Sequence, residues 1–335
     1  MRFQALSVGI QVPPHPFSGT VHSVFRQACN LWLEPDTLLT LLPCQKGNVP
    51  HGIRLDTSSH SVFLHALRVG QSVACRGGIL RIDGPEFSVD LRTARPWHID
   101  LKELHIDLRR CNQAHAWAMA WSKLTTYHRK SSLSGITEGF SPSEGPPALS
   151  EVLLQQSAHA VPALLQATRD FKVEDAGTSI RLLIGLGPGL TPSGDDFLVG
   201  YLAGLWCTAG NSTSRTQFLA ALDAEISETA RSTNEISRAY LRSAAKGHVS
   251  EPIAKLAQQL NQANNIGNVR AATQAALQVG HTSGADGVLG LLLGCLAWQS
   301  LAPHLLYPSV FVDRFIRHEM RRGLRADGSS TLFCS

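Results

Sequence analysis

The chain has 335 residues, 43% of them hydrophobic, and a formal charge of only +4, so one large or two ordinary domains can bury a core without metal or disulfide staples. Its lysines and arginines are scattered rather than gathered into a stripe, which argues against nucleic acid as a partner. The seven cysteines, at positions 29, 44, 75, 111, 207, 295 and 334, form no C-x-x-C pair, a pattern that suits reduced thiols in a cytosol and offers no metal–thiolate site.

At the amino terminus, "MRFQALSVGIQVPPHPF" has no sustained apolar run before its prolines, so it does not resemble a signal peptide and a cytoplasmic location is expected. From about residue 17 to 110, "GTVHSVF", "LLTLLP", "SVFLHAL", "SVACRGGILRIDG" and "FSVDL" are short apolar or alternating runs cut by turn residues. They predict a β-rich domain over 1–110, barrel- or sandwich-like. From Cys111 the period changes: "NQAHAWAMAWSKLTTYH" and "LSEVLLQQSAHAVPALLQAT" place apolar residues at helical spacing, and a mainly α-helical domain is expected over 111–335. The fold class is therefore α+β. Between those two helices, the serine, glycine and proline of "KSSLSGITEGFSPSEGPP" predict a mobile loop at about 130–147. Further helices are expected near 214–230, 234–246, 251–264, 267–279, 284–300 and 308–322, with a loose tail after them. Two apolar runs, Phe197 to Gly210 and Val288 to Trp298, are too short to span a bilayer and are expected as buried helices.

Residues 182–206, "LLIGLGPGLTPSGDDFLVGYLAGLW", break the helical pattern with a glycine-rich stretch and an adjacent aspartate pair. Gly189 and Gly194 have the spacing of a P-loop frame, but Asp195 and Asp196 follow where Lys and Ser or Thr should stand. A phosphate would meet two carboxylates there unless a divalent cation such as Mg²⁺ bridged them. The dinucleotide fingerprint also fails, because position 190 is leucine, and no Gly-x-Ser-x-Gly elbow marks a serine nucleophile. "RLLIG" (181–185) is expected as a short strand or extended segment leading into the loop, with Gly187 and Gly189 letting backbone amides approach an anion at the helix start.

Ninety residues later the chain repeats itself. "PSGDDFLVGYLAG" (192–204) and "TSGADGVLGLLLG" (282–294) share Ser-Gly-x-Asp with glycines four and eight residues after the aspartate. On a helix, Asp196, Gly200 and Gly204 share one face, as do Asp286, Gly290 and Gly294. Helix-interior glycine costs about 1 kcal/mol relative to alanine, so a compensating close approach is expected, with the two pseudo-repeated glycine faces crossing each other or another central helix. Ser193 to Asp196 and Ser283 to Asp286 also resemble capping boxes, the bland reading of both helix starts. Asp195 aligns with Ala285 in the second copy, so it is the more functional-looking carboxylate.

The candidate catalytic residues are thus Asp195 and His281, the latter set just before the second repeat. Gly187, Gly189, Thr191, Ser193, Gly194, Asn234, Ser237, Ser283 and Gly284 are the candidate substrate-binding set, and Asp195, Asp196 and Asp286 the candidate metal ligands. Thr233 and Asn234 look like a helix start, for which plain capping is the competing reading.

The run from Gly185 to Gly200 resembles the signature of the bacterial AllH-like family, and "GTVHSVF", "TNEISRAYL" and "HTSGADGVLGLLLG" look like further family segments. The resemblance implies a subunit of an oxamate carbamoyltransferase-type complex in purine or allantoin nitrogen catabolism. Such a complex interconverts oxalurate plus phosphate with carbamoyl phosphate plus oxamate. The implied partners are other subunits and a small anionic substrate: carbamoyl phosphate, oxamate or a phosphate-like molecule. The Ser-x-Arg-Thr-Arg phosphate motif of ordinary carbamoyltransferases is not matched; "NSTSRTQF" is only an echo. A non-catalytic structural or regulatory subunit, and a stand-alone metal-dependent hydrolase of a phosphorylated small molecule, stay open beside it.

Overall fold

The computed structural model describes residues 1–127 and 149–298, apart from 15, 60 and 85, and of 149–154 the backbone alone. The mobile loop expected at 130–147, the helix expected over 308–322 and the loose tail lie outside the described residues.

The β-rich half is a barrel. Its strands are β1 (Arg2–Gly9), β2 (Phe17–Phe25), β3 (Ala28–Leu33), β4 (Thr37–Leu42), β5 (Gly52–Leu55), β6 (Ser72–Arg76), β7 (Ile79–Ile82) and β8 (Phe87–Asp90). They neighbour one another in the order β5-β4-β3-β2-β6-β7-β8-β1, and an antiparallel β1–β5 pairing closes the ring. Closure leaves no open edge among the eight strands. A ninth strand, β9 (Arg95–Trp97), takes over from β8 along β1, pairing with Ser7 to Gly9 where β8 pairs with Arg2 to Gln4.

Alternation decides which side chains fill the barrel: Leu31 and Leu33, Leu39 and Leu41, Ile53 and Leu55, Val73 and Cys75, Leu80 and Ile82, and Phe87 and Val89 all point into one buried cluster. "SVFLHAL", expected among the strand-like runs, is instead the short helix α1 (Val62–Ala66), whose Val62, Phe63 and Ala66 are buried with the barrel core. Apolar residues at 62, 63, 66 and 67 follow a helical stripe, and over so few residues the two periods are hard to separate.

After a single 3-10 turn (Leu101–Glu103) the chain becomes helical: α2 (Cys111–Thr125), α3 (Leu149–Arg169), α4 (Val173–Leu183), α5 (Ser193–Ala209), α6 (Thr213–Thr229), α7 (Glu235–Ala245), α8 (Glu251–Gln262), α9 (Ile266–Leu277) and α10 (Ser283–Leu296). "RLLIG" is therefore not a strand; Arg181 to Leu183 end α4, and Ile184 turns the chain out of it. The first turn of α4 carries Glu174 and Asp175 and its buried face is Ala176, Ile180 and Leu183, so the run belongs to an amphipathic helix that begins eight residues earlier.

At the centre lie α5 and α10, each buried on nearly every side. A β-carbon added to Gly200 would run into the backbone of Gly287 and lie 2.9 Å from the Leu291 nitrogen; one on Gly290 would run into the Phe197 carbonyl and lie 2.7 Å from the Tyr201 nitrogen. Gly204 meets Leu291 and Cys295 in the same way, and Gly294 meets Tyr201 and the Gly204 Cα. The two glycine faces therefore pack on each other. Each contact has its mate ninety residues away, Gly200 on Gly287 answering Gly290 on Phe197, which relates the helices by an internal two-fold along their common direction. Around this pair, the Trp117 indole of α2 donates to the Leu292 carbonyl (2.9 Å) and the Tyr201 hydroxyl to Thr168 of α3 (2.7 Å).

Barrel and helices meet along α7 and the start of α8. The Asn48 backbone and side-chain amides donate to Glu251 (2.8 and 2.6 Å), and Arg242 pairs with Asp36 (2.9 Å). Among the described residues no helix is long and apolar enough to cross a membrane, and the six described cysteines are unpaired.

Because backbone atoms line both sides of the α5–α10 contact, Gly290→Ala has no side chain to push aside. A loss of about 2–3 kcal/mol is expected, partly masked by alanine's helix propensity of about 1 kcal/mol. Gly177→Ala in α4, which faces only the Glu225 side chain, should stay within about 1 kcal/mol of the parent. Urea midpoints of the two variants check the contrast, and equal midpoints would refute the tight crossing.

Candidate functional site

Between α4 and α5 the chain turns through Gly185, Gly187 and Gly189, with φ of +74°, +120° and +100°. A side chain is strained in that region, and at Gly187 a β-carbon would also lie 2.8 Å from the Ser193 nitrogen. The loop folds back on its own helix: Leu186 donates to the Leu183 carbonyl (3.0 Å), and Gly194 donates to the Leu186 carbonyl (2.8 Å). Gly194 is also where α5 touches the end of α4, since an added β-carbon would strike the Leu183 carbonyl; its repeat mate Gly284 is pressed in the same way on Ala276 of α9.

The capping-box expectation fails at both starts. Pro192 and Thr282 hold the N-cap positions, Ser193 and Ser283 sit one residue inside, and neither helix has a side-chain cap. One amide at each start is instead taken by a backbone carbonyl from outside the helix, Gly194 by Leu186 and Gly284 by Val279, while the bonds of Asp196 to Pro192 and of Asp286 to Thr282 are the first within each helix. The serine hydroxyls are thereby released for other contacts.

Asp195 is 1% exposed. Its Oδ1 accepts the Gly185 N–H (2.8 Å) and its Oδ2 the Thr233 hydroxyl (2.6 Å). Burial raises its pKa, and the bonds from Thr233, Gly185 and Ser237 oppose that rise. One carboxylate thus straps together the glycine loop, α5 and the turn before α7. Asn234 caps α7, accepting the N–H groups of Ile236 and Ser237 (3.0 Å each), and the buried Ser237 hydroxyl reaches the Leu190 carbonyl (3.4 Å).

Asp196 faces the other way, toward α10. The Thr191 and Ser283 hydroxyls lie 2.9 Å apart, joining the two repeat starts. Burial pushes the Asp196 carboxyl up to about 8; the charges of Asp286 and Asp195 add to the rise, while hydrogen bonds from Ser283 and Thr191 oppose it. Its Oδ2 is buried with no hydrogen-bond partner among the described residues. Asp286 is fully buried in the first turn of α10. His281 is exposed in the turn before α10, at the position equivalent to Thr191.

Two clusters therefore flank the start of α5: Gly185, Asp195, Thr233 and Ser237 on one side, Thr191, Asp196, Ser283 and Asp286 on the other. Among the described residues no three side chains of His, Cys, Asp or Glu are placed to hold a metal ion, so Asp195, Asp196 and Asp286 make no three-ligand cage. Tyr240 of α7 escaped notice in the sequence: burial, then the Asp196 charge, raise its phenol to about 12, and its ring meets His51 of the barrel edge-on at 4.7 Å. His51 lies in no motif and Tyr240 is only one of the residues of "TNEISRAYL"; the packing of α7 against the barrel is what brings the two together.

Residues 183–295, from the end of α4 through α10, match the family model of the oxamate carbamoyltransferase subunit AllH, and residues 4–96, the barrel and most of β9, match that of the AllH family N-terminal domain. The chain belongs to the AllH family. No solved structure matches it. In this AllH-family chain the matched helical segment begins at the glycine loop and closes at the second glycine-faced helix, so both repeat starts fall inside it.

The raised Asp196 carboxyl makes stability fall with pH. Between the ordinary aspartate range and about 8, the native state holds a proton that the unfolded chain has released, so stability drops as pH rises through that window. Asp196→Asn keeps the shape of the protonated form and removes the titration. Its melting temperature should match the parent near pH 4 and exceed it increasingly toward pH 8.5. A difference that does not change with pH would show that Asp196 ionises normally.

Proposed function

We propose that this AllH-family chain is a subunit of an oxamate-carbamoyltransferase-like complex in purine or allantoin nitrogen catabolism, and that it holds a small anionic substrate at the paired starts of α5 and α10. The observation that carries the reading is the meeting of Thr191, Asp196 and Ser283 where two helices present their positive ends together. A carboxyl with a pKa of about 8 carries its proton near neutral pH. It then does not repel phosphate or carboxylate, and it can donate a hydrogen bond to an oxyanion.

In the direction oxalurate plus phosphate, a phosphate oxygen attacks the ureido carbonyl, the bond from that carbonyl carbon to the oxamate nitrogen breaks, and that nitrogen must gain a proton. Asp196 is the group in position to hand over that proton as general acid, with the Thr191 and Ser283 hydroxyls orienting the oxyanion. Asp195 serves as a positioning residue for the glycine loop, since both its oxygens are engaged by Gly185 and Thr233, and Asn234 and Ser237 act through that same strap. His281 stands at the rim. The amides of Gly187 and Gly189 complete the cradle.

A second reading rests on the unpartnered Asp196 Oδ2: Asp196, with Asp286 beside it, would hold Mg²⁺, which would satisfy that atom, offset the two carboxylates and supply positive charge for a substrate anion.

Thermal unfolding of the full chain, titrated with carbamoyl phosphate, oxamate and phosphate with and without Mg²⁺, distinguishes these readings. A ligand at a hundred times its Kd should stabilise the fold by about 2.7 kcal/mol. The gain should shrink in Asp196→Asn and Ser283→Ala, and it should need Mg²⁺ only under the second reading. If no ligand raises the melting temperature and the assembled complex turns over normally with Asp196→Asn, the assignment falls.

A further inference from the structure

On the barrel side of α7 lies a cleft of about 500 Å³ whose walls include Trp32, Asp36, His51, Arg238, Arg242 and Lys246. That volume is in the range of small-molecule sites, roughly 300–1,000 Å³. Arg238 and Arg242 of α7 and Lys246 at its C-cap are four residues apart, so three cations form one stripe along the cleft. Like charges at this spacing oppose helix formation, and the two carboxylates that line the cleft, Asp36 and Glu235, are outnumbered by the cations. Asp36 pairs with Arg242 (2.9 Å), Arg238 is held by the carbonyls of Ala230 and Thr233 (3.2 Å each), and among the described residues no carboxylate pairs with Lys246.

His51 supplies an independent sign. It is 3% exposed, and both its ring nitrogens are buried without a hydrogen-bond partner among the described residues. A neutral imidazole carries one donor and one acceptor, and buried polar groups of a native fold are almost always met. Tyr240 covers the ring edge-on and cannot satisfy both nitrogens. Beside it the cleft offers an apolar wall from Trp32 and Leu38 and a basic one from α7.

We propose that this junction cleft is a second ligand site, taking a small metabolite with a phosphate or carboxylate head, which Arg242 and Lys246 neutralise and toward which the His51 ring turns an N–H when the cleft is filled. Because its walls come from the barrel and from α7, an occupant would clamp the two halves together. The inference is independent of what binds at the α5 and α10 starts.

The test uses the full chain with ¹⁵N-labelled histidine, titrated with inorganic phosphate and, separately, with oxalate. The His51 ring signals, identified by their loss in His51→Gln, should move saturably with at least one of them. Should His51→Gln fail to fold, the two surface variants suffice. Lys246→Gln and Arg242→Gln should each weaken that binding about tenfold by removing one charge-assisted contact, while Asp196→Asn leaves it unchanged. Ring signals that neither anion moves would overturn the proposal. So would full affinity in both surface variants, or binding lost only in Asp196→Asn, which would place the anion at the helix starts.

Discussion

Everything in the helical half depends on two helix backbones lying against each other without side chains between them. Gly200, Gly204, Gly290 and Gly294 remove the β-carbons that would hold α5 and α10 apart. The helices then run side by side in the same direction, and both positive ends fall at one place. Asp196 is thereby buried at the head of its helix, and Asp286, heading the other, adds its charge to the effect of that burial. That is why the Asp196 carboxyl keeps its proton far above the ordinary range. The perturbation follows from the packing rather than from any local feature of the loop.

Such an arrangement creates a problem of unsatisfied amides, because two helix starts are buried together. For one amide at each start the chain uses backbone rather than a side chain: the Leu186 carbonyl takes Gly194 at α5 and the Val279 carbonyl takes Gly284 at α10. The positive φ values of Gly185, Gly187 and Gly189 are what let the loop curl back to present the Leu186 carbonyl. Since carbonyls do the capping, the hydroxyls of Thr191 and Ser283 and the carboxyl of Asp196 are left to face one another. A conventional serine cap would have engaged the Ser283 hydroxyl that instead meets Thr191.

The barrel and the helix pair were legible in the sequence for the same reason: each rests on a period. Alternation in Leu31 and Leu33 or Leu80 and Ile82 reports a strand with one buried face, and glycines at i+4 and i+8 report a helix face made smooth. Where the period is short or shared, it misleads. Val62, Phe63 and Ala66 fit a strand as a run and a helix as a stripe, and "RLLIG" looked like a strand because its apolar residues were read without the acidic first turn of α4. The site was half visible. Repetition separated Asp195 from Asp196 and put Asp196 on the glycine face, which is where the contacts place it, facing the partner helix. That Asp195 straps the loop to Thr233 was not legible, because the turn before α7 reaches it only in three dimensions. His51 and Tyr240 were invisible, since nothing local marks a residue whose importance comes from an element docking on it.

Helix α7 is an element that joins these parts. Its cap, Asn234, and its first turn are tied to the glycine loop through Thr233–Asp195 and Ser237–Leu190. Two turns on, Tyr240 stands between the charge of Asp196 and the ring of His51, and Arg242 reaches the barrel at Asp36. The same helix is therefore held at its start by the glycine loop and along its length by the barrel, so the barrel is joined to the helix starts through α7: Asp36 on Arg242 and His51 on Tyr240 at one end, Thr233 on Asp195 at the other.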